Sequence, residues 1–258
     1  MSQIEVPFFR PNITDQEVDE VVATLRSGWL TSGPKVRRFE EEFAAAVGAP
    51  YAAAVNSCTA ALHLALEAVG LQPNQGVLVP TMTFAATAEV VRYLGAVPIL
   101  VGCDPVTLNM DLSDALCKLA QHSSGSLSAV LQPNTMVVGI MPVHVGGMMM
   151  DVTELNAFAS DNGLWVVEDA AHAFPAAWRR EAGEKWQRCG EGTAAVTCFS
   201  FYANKTITTG EGGMAVSDDP ALIGRIRSMS LHGLSHDAWG RYSGGSWDYK
   251  IMAPGFKY

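Results

Sequence analysis

The sequence predicts an α/β fold, a layered domain with a mostly parallel sheet between helices. Three observations lead there. Short apolar runs alternate with longer segments of helical periodicity, which is the β-α-β-α rhythm of α/β layers. Several runs, such as Val77-Leu78-Val79, are continuous rather than alternating, as expected of strands buried on both faces. Finally, 258 residues, 48% of them hydrophobic, are ample for one large core or two small ones and exclude a disordered chain.

Taken in order, residues 15–25 and 35–47 are amphipathic and read as helices. The loop Gly28-Trp29-Leu30-Thr31-Ser32-Gly33-Pro34 separates them, because its glycines and proline break both. Strands are expected at 51–55, 77–79, 97–101, 136–143, 164–168, 195–200 and 213–217. Helices are expected at 59–69, 84–94, 112–120, 152–161 and 220–230. Residues 123–134 are polar and 179–192 are charged with glycines, so both read as exposed loops. No internal repeat is present. The last residues, Ala253-Pro254-Gly255-Phe256-Lys257-Tyr258, read as a connection rather than a domain end. The expected organisation is an N-terminal segment and loop (1–34), a large domain (35–250) and the start of a connection to a smaller C-terminal domain (251–258).

The charge balance narrows the partners. Seventeen Lys and Arg against 26 Asp and Glu give a net charge of -9, which argues against a nucleic-acid or anionic-membrane binder. A small phosphorylated ligand stays open, since it needs only a few local donors. The five cysteines (58, 103, 117, 189, 198) are odd in number and show no CxxC spacing. Neither a disulfide framework nor a structural metal site is therefore expected, and a reducing cytosol fits best. Met1 to Arg10 has no apolar signal core. The longest stretch free of Asp, Glu, Lys and Arg, 119–150, is broken by Ser123-Ser124-Gly125-Ser126 and Pro133-Asn134, so no membrane helix is expected. The protein reads as cytoplasmic.

Three motifs carry possible chemistry. Asn56-Ser57-Cys58-Thr59-Ala60 follows a strand and opens a helix, where unpaired N–H groups suit a phosphate; read alone, it is also an ordinary N-cap. Glu168-Asp169-Ala170-Ala171-His172 ends a strand, the edge of an α/β sheet where ligands sit. An aspartate there, beside apolar Val166-Val167, needs a cation or donors. Ser200-Phe201-Tyr202-Ala203-Asn204-Lys205 leads into Thr206-Ile207-Thr208-Thr209-Gly210-Glu211-Gly212-Gly213. A partly desolvated lysine has a lowered pKa and can act as a Schiff-base nucleophile. A phosphate cradle, an aspartate for a pyridinium nitrogen and such a lysine are together what pyridoxal phosphate (PLP) requires. Neither GxxxxGK[ST] nor a strand-borne GxGxxG occurs, which disfavours a P-loop or dinucleotide site.

The GWLTSGP loop, NSCTAALHLAL, EDAAH and SFYANKTITTGEGG resemble the DegT/StrS-type sugar aminotransferases, PLP enzymes of the aspartate-aminotransferase fold (fold type I). The likeness runs from Pro7 to the last residue. It implies a three-layer α/β/α large domain and a role for each residue. Lys205 would bond the cofactor and shuttle the proton, and Asp169 would pair with the ring nitrogen. His172 would contact the 3-oxygen, where many relatives carry Gln. Ser200, Thr59 and the backbone at Cys58 and Ala60 would hold the phosphate, and most relatives have Gly at the position of Cys58. Phe84 would stack on the ring; without the resemblance it reads as a core aromatic.

The resemblance further implies transfer of an amino group, usually from L-glutamate, to a keto group of a nucleotide-linked sugar, by a homodimer. Related dehydratases carry His in place of the lysine; here Lys205 is present. Relatives continue past GFKY into a smaller domain. A chain of only these 258 residues is therefore expected to bind PLP weakly and turn over poorly, and a non-catalytic PLP-binding or regulatory homologue is the alternative. Elsewhere, His232 and His236 lack the Glu of HExxH, His63 reads as a packed residue, Met148-Met149-Met150 as core or loop, and Trp29 as near a substrate entrance.

Overall fold

The computed structural model of the chain describes residues 6–125, 135–235, 238–244 and 248–258. Its helices are α1 (Asp15–Ser27), α2 (Pro34–Val47), α3 (Cys58–Ala68), α4 (Ala85–Tyr93), α5 (Leu112–Ser123), α6 (Val152–Asp161), α7 (Pro220–Ser230) and α8 (Ala238–Gly244). Its strands are β1 (Tyr51–Val55), β2 (Gly76–Pro80), β3 (Val97–Val101), β4 (Val137–Ile140), β5 (Trp165–Asp169), β6 (Ala177–Trp178), β7 (Gln187–Arg188), β8 (Val196–Ser200) and β9 (Gly213–Ser217).

Seven strands form one sheet in the order β1-β9-β8-β5-β4-β2-β3. β9 runs antiparallel to both its neighbours, β1 and β8; the remaining pairings are parallel. Neighbouring residues on a strand face opposite sides, and the burial shows both sides covered. Val77, Val79, Val167, Val196, Cys198 and Ala215 join α3, α4 and α7 on one face. Their neighbours Leu78, Val166 and Ile140 pack on the other face with α5 and α6. Phe199, Met214 and Val216 meet Phe43, Ala44 and Val47 of α2 on that same face. This three-layer α/β/α arrangement is the one the continuous apolar runs predict.

Local chemistry sets the helix starts. Asp111, Asp151 and Asp219 cap α5, α6 and α7 with side-chain oxygens, and Pro220 stands in the first turn of α7, where its missing N–H is no loss. α1 begins with a reciprocal capping box between Thr14 and Glu17, yet buries no residue. α3 is rich in Ala and Leu, good helix formers, and lies almost wholly inside the core.

The structure adjusts several expected elements. The strand expected at 136–143 is only β4, and the next strand extends one residue further to include Asp169 itself. The segment 179–192 is mostly exposed but holds β7, which pairs with β6, and the buried Cys189. Part of the loop expected at 123–134 and His236 lie outside the described residues. His63 is packed as expected, and Met148 is exposed while Met150 is buried. Residues 251–258 return to the body of the domain. The Phe256 N–H donates to the Met229 carbonyl at 2.7 Å, the Tyr258 N–H donates to the Ser230 carbonyl at 3.0 Å, and the Tyr258 hydroxyl meets His63 Nδ1 at 2.9 Å. Among the described residues, no helix is long and apolar enough to cross a membrane.

Candidate active site

All strands of the sheet except β9 point their carboxyl ends to one edge, where open α/β sheets bind ligands. A cavity of about 520 Å3 opens at that edge. Cys58, Thr59, Phe84, Asp169, His172, Ser200 and Lys205 all line it. These residues lie far apart in the sequence, and the parallel topology brings them together. Ala60 does not line the cavity; its N–H is already taken by the Ser57 hydroxyl at 3.1 Å, the N-cap bond of α3.

The first turn of α3 presents the N–H groups of Cys58 and Thr59 at the positive end of the helix dipole. Beside it, β9 begins at Gly213, which pairs with both Val55 of β1 and Ser200 of β8. A Cβ at 213 would overlap the Ser57 carbonyl and the Cys58 nitrogen, so only glycine lets β9 approach the loop ahead of α3. Ser200 sits at the end of β8, with its Oγ accepting the Tyr202 N–H at 3.3 Å. This leaves its proton free to donate. Together these groups form a cradle of donors suited to a phosphate. The Cys58 thiol is buried and contacts the Cys198 carbonyl at 3.6 Å. Burial foremost, then the charge of Asp169, pushes its pKa well up, so it remains a neutral packing group.

Asp169 is only 5% exposed and fixed through both oxygens. Oδ1 accepts the Ala171 N–H at 3.1 Å, and Oδ2 accepts the Thr87 hydroxyl at 2.7 Å. The backbone of Asp169 is held as well, because its N–H donates to the Pro142 carbonyl and its carbonyl accepts the His144 N–H. Phe84 is the N-cap of α4, is 80% exposed and lines the cavity, so the reading as a core aromatic, taken without the resemblance, does not hold.

Lys205 stands in the loop after β8, half-buried. Its N–H donates to the Tyr202 carbonyl at 2.9 Å, and the Thr208 hydroxyl and the Thr209 N–H pin the loop to the Phe201 carbonyl. Nζ lies 2.7 Å from His172 Nε2. Burial is the main cause lowering the Lys205 pKa, against the nearby Cys58 and Asp169, which raise it. The His172 pKa is also lowered, first by burial and then by Lys205. Lys205 therefore favours the neutral form of His172. Thr83, Thr87, Tyr202, Asn204 and Glu211 were not singled out by sequence; all but Thr87 line the cavity, and Thr87 lies behind Asp169. Tyr202, Asn204 and Glu211 flank Lys205 in its own motif, a signal that was available.

On the other face of β5, Glu168 is fully buried. Its Oε2 accepts the hydroxyls of Thr193 and Thr197 at 2.6 Å, and His144 Nε2 lies 3.5 Å from Oε1. Burial works to raise the Glu168 pKa, but His144 and the two hydroxyls outweigh it and keep the carboxylate ionised. This cluster anchors β5 from behind.

An open, mostly parallel sheet flanked by helices, with ligand-binding groups at its strand ends, is the architecture of the fold-type I aminotransferases. The comparisons with known proteins agree. The model of the DegT/DnrJ/EryC1/StrS aminotransferase family matches residues 11–258, and the chain belongs to that family. It is 45% identical over 253 residues to the spore coat polysaccharide biosynthesis protein SpsC of Bacillus subtilis, covering 98% of this chain and 60% of that protein. The putative sugar aminotransferase Spr1654 of Streptococcus pneumoniae, solved in its PMP form, superposes with a TM-score of 0.80 at 32% identity, covering 98% of this chain and 63% of that one. DesI, solved in the presence of its TDP-sugar product, gives a TM-score of 0.73 at 32% identity, covering 96% and 55%. The chain thus spans about 60% of the length of SpsC.

Proposed function

We propose that the protein is a PLP-dependent sugar aminotransferase that moves an amino group from L-glutamate to a keto group of a nucleotide-linked sugar. The observation that carries this reading is the meeting, in one cavity, of a lysine of lowered pKa with a buried, doubly held aspartate and a helix N-terminus. The donor set fits the cofactor group by group. The α3 N-terminus with Ser200 and Thr59 suits its phosphate, Asp169 its ring nitrogen, the exposed face of Phe84 its ring, and Lys205 its aldehyde carbon. When bound, PLP supplies an electron sink for the carbon that loses a proton. The PLP and PMP forms of Spr1654 support the cofactor, and the TDP-sugar product of DesI supports a nucleotide-linked acceptor.

The residues of this chain supply the rest. Burial lowers the pKa of Lys205 and so eases loss of its proton, and a lysine that can give and take a proton is what each half of an amino transfer needs. His172 Nε2, 2.7 Å from Nζ, aims it. Asp169 would hold the protonated ring nitrogen, and Phe84 with the α3 cradle would hold the ring and the phosphate. The donor leaves as its 2-keto acid and the sugar carbonyl becomes an amine. Residues 35–250 form the cofactor-binding domain, and the working enzyme is a cytoplasmic homodimer.

The test is direct. The chain is incubated with PLP and reduced with borohydride, and the modified peptide is mapped. The label is expected on Lys205; a label elsewhere, or none, overturns the reading. A panel of nucleotide-linked keto-sugars assayed with glutamate then defines the acceptor.

A further inference from the structure

Thr87 is fully buried and stands outside the lining of the cavity at the sheet edge, and yet it donates its hydroxyl proton to Asp169, which lines it. Its Oγ1 lies 2.7 Å from Asp169 Oδ2 and 2.6 Å from Thr83 Oγ1. A carboxylate only accepts, so Thr87 must donate to Asp169 and accept from Thr83. The direction of the chain is thereby set: Thr83 to Thr87 to Asp169. Charge-assisted bonds of this kind are the strong ones, and burial strengthens them. Thr87 sits on the first turn of α4, with its N–H bonded to the carbonyl of the N-cap Phe84. The aromatic over the cavity and the donor beneath it therefore belong to one rigid turn. Its bonds to both Thr83 and Asp169 hold the hydroxyl in place before any ligand arrives.

We propose that Thr87, oriented by Thr83, is a positioning residue that aims Asp169 Oδ2 at the ring nitrogen of the cofactor. This rests on the reading of Asp169 as the partner of that nitrogen. The second oxygen is already tied to the Ala171 N–H. Loss of the Thr87 bond would leave the carboxylate free to turn about its last torsion and one buried oxygen without its donor.

The two readings separate in one binding experiment on the full chain. PLP and its carbocyclic analogue, in which the ring nitrogen is replaced by carbon, are titrated into the wild type, Thr87→Val and Thr87→Ser, followed by visible absorption and circular dichroism. Thr87→Val keeps the shape and removes the donor, and is expected to weaken PLP binding about 10-fold with a smaller visible dichroic band. Against the analogue it should match the wild type, and Thr87→Ser should restore PLP binding. Equal weakening toward both ligands, or no weakening toward PLP, overturns the proposal. A wild type that binds both ligands equally overturns the Asp169 reading itself, and the proposal with it. If Thr87→Val does not fold, Thr83→Val decides by the same titration, with a smaller loss confined to PLP expected.

Discussion

Lys205 shows how much of a residue's chemistry is set by its surroundings. Burial lowers its pKa from the ordinary 10.5, so the folded chain binds fewer protons than the unfolded one between that lowered value and 10.5. Stability contributed by this group therefore rises with pH across the window, and the cost of burying the ammonium is fully present below it. The same shift governs reactivity. The rate at which PLP attaches to Lys205, followed by stopped-flow absorbance against pH, should rise with a midpoint below 10.5; a midpoint at or above 10.5 would contradict the burial seen here. Lys205, Asp169 and the α3 N-terminus were legible because each stands in a motif at a strand end. Thr87 was not, because a threonine inside an apolar helix looks like ordinary core until the fold sets a carboxylate opposite it. Phe84 was legible only through the family resemblance, since an exposed aromatic and a buried one look alike in sequence.

Among the elements, α7 carries the simplest prediction. Asp219 accepts the Ala221 N–H at 2.7 Å and starts the helix that covers α3 and the antiparallel end of the sheet. Asp219→Ala should cost about 1 kcal/mol in urea denaturation, with PLP labelling of Lys205 unchanged. α1 differs, since it buries nothing, and an equivalent loss of the Thr14 cap should loosen that helix alone. Hydrogen exchange would show faster α1 amides at an unchanged global midpoint. The strands and helices were readable because apolar runs and caps are local signals. The two-residue strands β6 and β7 were not, because they are held by contacts made at a distance rather than by their own pattern.

For the whole molecule, the decisive feature is the strand order, which no local pattern records. Parallel strands and helical crossovers were expected, but not that β9 enters antiparallel between β1 and β8 and brings Gly213 against the loop ahead of α3. Gly213→Ala should therefore act in two places. Overpacking against backbone is expected to cost about 2 kcal/mol or more in urea denaturation, and the displaced α3 N-terminus should weaken PLP binding beyond the stability loss. A variant that loses stability but keeps the wild-type PLP affinity would show that the cradle does not lean on this strand. The same contact also imposes a schedule on the newborn chain. The ribosome delivers Ser57, Cys58 and Thr59 early, but the wall behind them arrives only with β9. Until that strand has emerged and paired, the start of α3 lacks the backbone wall that Gly213 brings against it.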